Sequence, residues 1–398
     1  MATNQGMKKV TGFAAIDRAF EQSIDSIINA GQKVIVFNIL NAAATQLDEL
    51  HGVSDAGAGK DLMHLTPTRD SEYIATGSHQ TPLTMMPTPT ERTLQGLLDN
   101  GGISPAVLSR SLLKYFNDIG YKIKFRSYNF GVKKPTGKSS QWIDCCRHYG
   151  GENTLQRDET SMQLQRELQQ QANSGNISIV AECGVGGTTF STLWIRLLTG
   201  IAISPAGSTK DKSKLEKKSR LLDQLEQEYR LIHTDFNPHT LLSKQRFHDE
   251  IQAAIYQLMS KWPSKLPLPR FAGGMMFVAP IIAALQSKDV DMKHKRTIPG
   301  HIDTTRWLIG DGVQIAPVLN LLPASWTCRV NQSHFGHSRY SCLQVFEQGI
   351  VVEGCGFGGL LVLAEELGIT QDTILDILEN ACEKHMKQAI AAQPSNVA

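Results

Sequence analysis

The chain lacks a charge bias. Its 40 Lys and Arg stand against 38 Asp and Glu, a formal net charge of +2. Neither a nucleic-acid footprint nor an attraction to an anionic membrane surface is written in that balance. Long apolar runs are missing too: the longest, residues 275–285, is too short to span a bilayer and contains Pro280. Residues 1–10 are polar, with no charged-then-apolar segment ahead of a small-residue cleavage site. The seven cysteines are odd in number and lack framework spacing, which favours free thiols in a reducing compartment. Cys145 and Cys146 are adjacent rather than C-x-x-C and read as packing residues. His334 and His337, with His294 and His301, show no i, i+4 pair and no matched cysteine partner, so no metal is expected. Low-complexity tracts and short-period repeats are absent as well. These absences predict a cytoplasmic soluble protein without nucleic-acid or membrane partners, cofactor or metal.

What is present is ordinary in composition, with 41% hydrophobic and 20% charged residues, and 398 residues suffice for one large or two unequal domains. The informative stretch is residues 176–192, N-I-S-I-V-A-E-C-G-V-G-G-T-T-F-S-T. Ile177, Ile179, Val180 and Ala181 make a short apolar run suited to a buried parallel strand. The run stops at Glu182, and Gly184, Gly186 and Gly187 form a turn. Thr188 and Thr189 then open a helix whose apolar face holds Leu193, Trp194, Leu197 and Leu198. Glycines let backbone N–H groups approach an anion closely, and a helix N-terminus adds free donors and a favourable dipole. No Lys precedes Thr188, so the turn is not a Walker loop, and its G-x-G-G spacing is not the dinucleotide fingerprint. A tight connection with nothing bound is the plain alternative.

The rest of the chain alternates between helix and strand patterns. Helices are expected at residues 14–30, from Ser104 and Pro105 onward, at 163–172, 210–231, 244–262, 275–285 and 360–367, and after Thr370. Strands are expected at 33–40, 122–128, near 314–319, around 342–346 and near 349–352. Residues 51–77 read as irregular loops, 80–90 as extended, 131–140 as a basic loop, and the segment holding Thr304, Thr305, Arg306 and Trp307 as a loop. The expected architecture is α/β, a mostly parallel sheet with helices on both faces (Rossmann-like). A smaller helical subdomain from the N- and C-terminal helices completes one large domain over residues 1–390, with a frayed tail at 391–398. A second acidic-glycine device follows at Glu353, with Gly354 and Gly356 before a helix. Two strand ends at one sheet edge would bring Glu182 and Glu353 to a single crevice.

The sequence resembles the nicotinate-nucleotide:dimethylbenzimidazole phosphoribosyltransferase family, and in particular its archaeal and cyanobacterial branch. The residues that carry this are G-V-S-D-A-G at 52–57, T-P-T-R-D-S-E at 66–72, I-S-P-A-V-L-S-R at 103–110 and A-E-C-G-V-G-G-T-T at 181–189. A-G-G-M-M at 272–276, T-T-R-W at 304–307 and V-E-G-C-G-F-G-G at 352–359 complete the set. The resemblance implies attack of a benzimidazole-type base on the anomeric carbon of nicotinate mononucleotide, releasing nicotinate and forming an α-ribotide for a cobamide lower ligand. It implies Glu353 as general base, Glu182 as the acidic residue opening the glycine loop, and Lys218 on the phosphate. Gly184, Gly186, Gly187, Thr188, Thr189, Gly273, Gly274, Gly354 and Gly356 would line the substrates, and a homodimer is implied as well. Two departures stand out. Gly187 occupies a position where the bacterial loop carries Asn, and residues 52–72 must replace the bacterial base-pocket pattern, which leaves a purine-like acceptor open. A phosphorylase-like glycosyl transfer and a non-catalytic nucleotide-binding homologue are the competing readings. Without the resemblance, Glu353 reads as a helix cap, the basic residues 210–220 as a solvated face, Cys183 and Cys355 as small fillers, and Trp307 equally as core or as a base-stacking residue.

Overall fold

The structure is a computed structural model that describes residues 34–44, 52–54, 63–79, 92, 95–132, 142–146, 154–203, 211–286, 297–309, 316–350 and 353–392. The expected helix at 14–30, the extended segment at 80–90, most of the loop at 131–140 and the tail beyond 392 lie outside these residues. The first half runs β1 (Val34–Ala43), α1 (Thr66–Thr76), α2 (Pro105–Asp118), β2 (Lys122–Phe130), β3 (Trp142–Cys146), α3 (Thr154–Asn173) and β4 (Ile177–Val185). Next come α4 (Gly187–Thr199), α5 (Lys212–Arg230), α6 (Pro238–Ser243), α7 (Glu250–Lys261), β5 (Arg270–Ala272) and α8 (Met275–Leu285). The last part holds β6 (Gly300–Thr304), α9 (Arg306–Ile309), α10 (Ala316–Leu319), β7 (Trp326–Val330), α11 (Ser341–Gln344), α12 (Phe357–Glu366) and α13 (Gln371–Ala391).

The described strands form one parallel sheet of seven, in the order β3-β2-β1-β4-β5-β6-β7. The chain starts in the middle, works outward to β3, then returns beside β1 and works outward the other way. Crossovers between parallel strands are right-handed, so reversing direction reverses the face that the helices cover. Thus α1 and α2 lie over one face, with α12 packed against α2 and on β5, β6 and β7. The helices α3, α4, α7 and α8 cover the other. Covered on both faces, β1 buries every residue after Val34, which explains an apolar run interrupted only by Asn38 and Asn41. The α/β expectation therefore holds. The C-terminal α13 packs on α2 through buried Ile374, Leu378 and Cys382.

Several local expectations are corrected. Residues 66–76 are helix α1, not loop. Its inner face is polar: Ser71 Oγ donates to Asn41 Oδ1 at 2.7 Å, and Asn41 Nδ2 donates to Ser127 Oγ at 2.8 Å. With Thr68, Ser71 and Glu72 buried and only Tyr73 and Ile74 as large apolar side chains beside them, no apolar period reveals the helix. The strand expected around 342–346 is instead α11 followed by turns, and that near 314–319 is the short helix α10 over its described part. Cys342, Leu343 and Phe346 are buried at helical spacing, which a short apolar run does not distinguish from a strand. Residues 349–350 are turn rather than strand, and 351–352 lie outside the described residues. The outer strands β6 and β7, and the edge strand β3, are not expected from the sequence, and Thr304 ends β6 rather than sitting in a loop. The helix expected from 244 begins at Glu250, where Asp249 and Gln252 form a capping box.

Both outer strands hide charge. Asp303 on β6 is fully buried, accepting from Arg270 Nε (2.7 Å) on β5 and from Arg329 Nε (2.6 Å) on β7. Each arginine also donates to Glu366 at the end of α12, at 2.6 and 2.5 Å. Removing one partner of such a buried network strands the remaining charges. Asp303→Asn is therefore expected to lower the unfolding free energy by about 3–5 kcal/mol. Urea titration of both proteins checks this; a loss under about 1 kcal/mol would show that the ladder contributes little.

Candidate functional site

The carboxyl ends of β4, β5 and β6 and the turn before α12 meet at one edge of the sheet. Glu182 lies on β4, which continues three residues beyond it to Val185, and is 7% exposed. Its Oε2 accepts from Gly184 N at 3.0 Å, and no other hydrogen bond to it is found among the described residues. Burial pushes its carboxyl up to about 8; the Gly184 N–H opposes this, while the charges of Glu353, Asp249 and Asp70 add to it.

Glu353 is held differently. Its Oε1 accepts from Gly354 N (3.0 Å) and Gly358 N (3.1 Å), and its Oε2 from Thr304 Oγ1 (2.9 Å) and Thr305 N (3.0 Å). Four donors occupy the four acceptor positions of a carboxylate. Burial raises its pKa, and those donors pull the other way. The bond to Gly358 lies in the first turn of α12, so Glu353 does cap that helix. A methyl at Gly358 would lie 2.3 Å from Glu353 Oε2 and 2.4 Å from the Thr304 carbonyl carbon, so only glycine fits.

The two acids meet across the β5–α8 turn. A methyl on Gly273 would sit 2.6 Å from Glu182 Cγ, and one on Gly274 would sit 4.0 Å from Glu353 Cγ. The sequence expectation that these two side chains converge is met.

Helix α4 begins beside them with Gly186 as its N-cap, at φ 83° and with no side-chain cap. Thr189 N donates back to the Gly186 carbonyl at 3.1 Å, and no hydrogen bond from Gly187 N or Thr188 N is found among the described residues, which leaves an open helix start. Lys218, buried on α5, donates from Nζ to Thr188 Oγ1 at 3.2 Å, and burial lowers its pKa to about 7. The structure thus gathers Glu182, Glu353, Gly184, Gly186, Gly187, Thr188, Thr189, Lys218, Gly273, Gly274, Gly354 and Gly356 at one end of the sheet. Gly356, at φ 67°, is the N-cap of α12.

Sequence reasoning missed Asp249. It caps α7 with Oδ1, which accepts from Gln252 N at 2.8 Å, while its buried Oδ2 has no hydrogen-bond partner among the described residues. That oxygen faces the glycine loop: a methyl at Gly187 would lie 2.2 Å from it and 2.3 Å from Met276 Cε. The space that an Asn would fill at this loop position is taken by Asp249 and Met276. The buried Thr189 Oγ1 also lacks a partner among the described residues. The D-E-I-Q capping box at 249–252 is legible in the sequence, but nothing there reveals its second oxygen.

Other candidates fall away from the site. Trp307 is buried against Phe335 and Phe346, with ring centroids 4.7 and 5.3 Å away, and belongs to the core. His301 pairs with Thr327 and His334 with Arg306; His294 lies outside the described residues.

Burial raises the Asp249 carboxyl from 3.8 to about 7, with Glu250 adding to the shift. The folded chain therefore keeps a proton between those values that the unfolded chain releases. Its stabilising effect is complete below about pH 4 and is lost as pH rises towards about 7. Glu182 acts in the same sense, whereas Lys218 is charged in both states across most of this window. Asp249→Asn keeps the cap and removes the titration. It should flatten the fall in unfolding free energy between pH 4 and 7 by up to about 1.4 kcal/mol per pH unit. Denaturant unfolding across that window checks it, and an unchanged slope would refute the assignment.

No protein-family profile matches the chain. A UPF0284 protein of Acaryochloris marina is 27% identical over 363 residues, covering 86% of this chain and 90% of that protein. The UPF0284 protein of Sulfurisphaera tokodaii is 25% identical over 360 residues, covering 87% of this chain and 92% of its own. That of Sulfolobus acidocaldarius is 26% identical over 357 residues, covering 87% and 94%. Among solved structures, a nicotinate-nucleotide-dimethylbenzimidazole phosphoribosyltransferase and CobT, both from Thermus thermophilus, align with a TM-score of 0.41 and 13% identity. Those alignments cover 92% of this chain and 87% of each neighbour. Along most of its length, then, the chain is similar to proteins named UPF0284, a name that carries no activity.

Proposed function

We propose that the protein is a phosphoribosyltransferase that moves the ribose phosphate of nicotinate mononucleotide onto a benzimidazole-type or purine base. Nicotinate is released, and the ribotide serves a cobamide lower ligand. The observation that carries this is the pairing of Glu182 and Glu353 across Gly273 and Gly274, beside an open helix start. The motif resemblance adds the reaction class. The attacking base nitrogen forms a bond to the anomeric carbon as the bond to the pyridinium nitrogen breaks. That nitrogen takes the electron pair and departs neutral, so no strong acid is required. The only proton to be moved is the N–H of the incoming base, for which one placed carboxylate suffices.

The hydrogen-bond inventory divides the work. Glu353 has its acceptor positions filled by four donors, so it serves as a fixed negative charge facing positive charge that develops on the ribose. Glu182 has a single hydrogen-bonded neighbour among the described residues and keeps lone pairs for the base N–H. We therefore assign Glu182 as proton acceptor, with Glu353 in that role as the second reading, favoured by the resemblance. The N-terminus of α4, Thr188 and Lys218 hold the phosphate.

The test is incubation with nicotinate mononucleotide and a panel of aromatic bases, following nicotinate release and ribotide mass. Glu182→Gln should cut turnover by about 10²–10⁴-fold while nucleotide binding changes little. Turnover that survives Glu182→Gln but disappears in Glu353→Gln selects the second reading. Lys218→Ala should weaken nucleotide binding by about tenfold or more, and unchanged affinity would remove it from the phosphate site. Nicotinate release that needs phosphate or arsenate and no base would identify a phosphorylase. Binding without turnover for every base would identify a non-catalytic homologue.

A further inference from the structure

Each glycine turn carries one cysteine, and the fold brings the two together. Cys183 Sγ and Cys355 Sγ are 3.6 Å apart, and both face the same oxygen, Asp70 Oδ2, at 3.7 and 3.6 Å. The three ligand atoms form a nearly equilateral triangle. Tetrahedral zinc, with Zn–S of about 2.3 Å and Zn–O of about 2.0–2.2 Å, separates its ligand atoms by about 3.5–3.8 Å. All three sides fall inside that range. Three hydrogen bonds shared among two thiols and one oxygen are a poor alternative, because S–H is a weak donor.

We propose that Asp70, Cys183 and Cys355 bind a zinc ion, with the fourth coordination position open.

The supporting structure is specific. Both sulfurs are buried, and Asp70 is half-buried. Asp70 Oδ1 is fixed by Ser104 Oγ at 3.0 Å, which leaves Oδ2 for the ion, as outer hydrogen bonds do for ligating carboxylates. Cys355 has φ 52°, the only positive φ of a non-glycine among the described residues. Its carbonyl accepts from Ser109 Oγ at 2.9 Å, so α2 holds the cysteine in this backbone conformation. Two thiolates and a carboxylate are a donor set that suits zinc over magnesium or calcium. An ion here would tie α1, β4 and the turn before α12 at one point. It would also fix the backbone beside both acids, since Cys183 follows Glu182 directly and Cys355 comes two residues after Glu353. The proposal stands apart from the transferase reading, because a structural ion in a non-catalytic protein would satisfy it equally.

The test uses the full chain expressed with zinc supplementation and purified under a phosphine reductant. About one equivalent of zinc per chain should survive gel filtration. After exchange, cobalt(II) should give thiolate-to-cobalt charge transfer and the intense visible bands of a tetrahedral site. Cys355→Gly suits the positive φ and removes a ligand; Cys183→Ser gives a second, independent variant. Both should reduce bound metal by about tenfold or more while circular dichroism reports a folded chain, and Asp70→Asn should shift the visible bands. The cobalt spectrum of the unaltered chain decides the matter even if a variant fails to fold. Absence of both retained zinc and charge transfer overturns the proposal, as does unaltered metal content in folded Cys355→Gly. Recovery of Cys183 and Cys355 as a disulfide from zinc-supplemented cells overturns it as well.

Discussion

Two carboxyl groups, Glu182 buried and Glu353 half-buried, with the charge of one felt by the other, are the constraint to which the rest of the molecule answers. Water would screen Glu182 and Glu353 at little cost; the interior does not, and burial is the largest influence on both. The fold meets that cost unequally. Glu353 receives four donors, three of them backbone N–H groups, whereas Glu182 receives one among the described residues, from Gly184. Burial raises the proton affinity of both, and the four donors at Glu353 oppose that rise where Glu182 has one. Unequal hydrogen bonding of two neighbouring acids gives identical side chains different surroundings.

Keeping the pair in place requires the sheet end to hold still. The β5–α8 turn that separates the acids is anchored by Gly273 N, which donates to the Asp303 carbonyl at 3.0 Å. Asp303 is in turn locked by Arg270 and Arg329, and both arginines reach Glu366 on α12. Glu353 opens the turn that leads into α12. A single ionic ladder across three strands therefore sets both the turn between the acids and the helix that one of them caps. This explains why charge lies in outer strands that would otherwise be apolar.

The same choice limits what the sequence discloses. Where burial is mostly apolar, as in β1, β4 and α8, the elements are legible to within a few residues, and so is the parallel architecture. Where burial is polar, they are not. The strand β6 reads G-H-I-D-T, and α1 buries Thr68, Ser71 and Glu72 beside Tyr73 and Ile74, so neither shows a hydrophobic period. The site was legible in its glycine turns, because turn residues are conspicuous and glycine at Gly358 has a steric cause. Asp249 was not, since a capping box accounts for one oxygen and conceals the other. Nor was the meeting of Asp70, Cys183 and Cys355, whose positions span 285 residues of chain.

Gly187 sits where the glycine loop, Asp249 and Met276 come together. The bacterial enzymes that the sequence motifs resemble place an amide side chain there, and in this chain that volume holds the Asp249 carboxyl and the Met276 methyl. The substitution is therefore not a plain deletion of a polar contact. An amide that both donates and accepts is exchanged for a carboxylate oxygen, delivered from a different helix, with no hydrogen-bond partner of its own among the described residues. Above about pH 7, where Asp249 is ionised, that oxygen is a buried acceptor and favours a donor on whatever approaches the loop. Nicotinate mononucleotide offers ribose hydroxyls as donors, whereas its phosphate offers only acceptors. Under the proposed transferase reading the loop would divide its work: the phosphate on the side of Lys218 and Thr188, and the sugar hydroxyls on the side of Asp249, with the anomeric carbon turned towards the pair of acids.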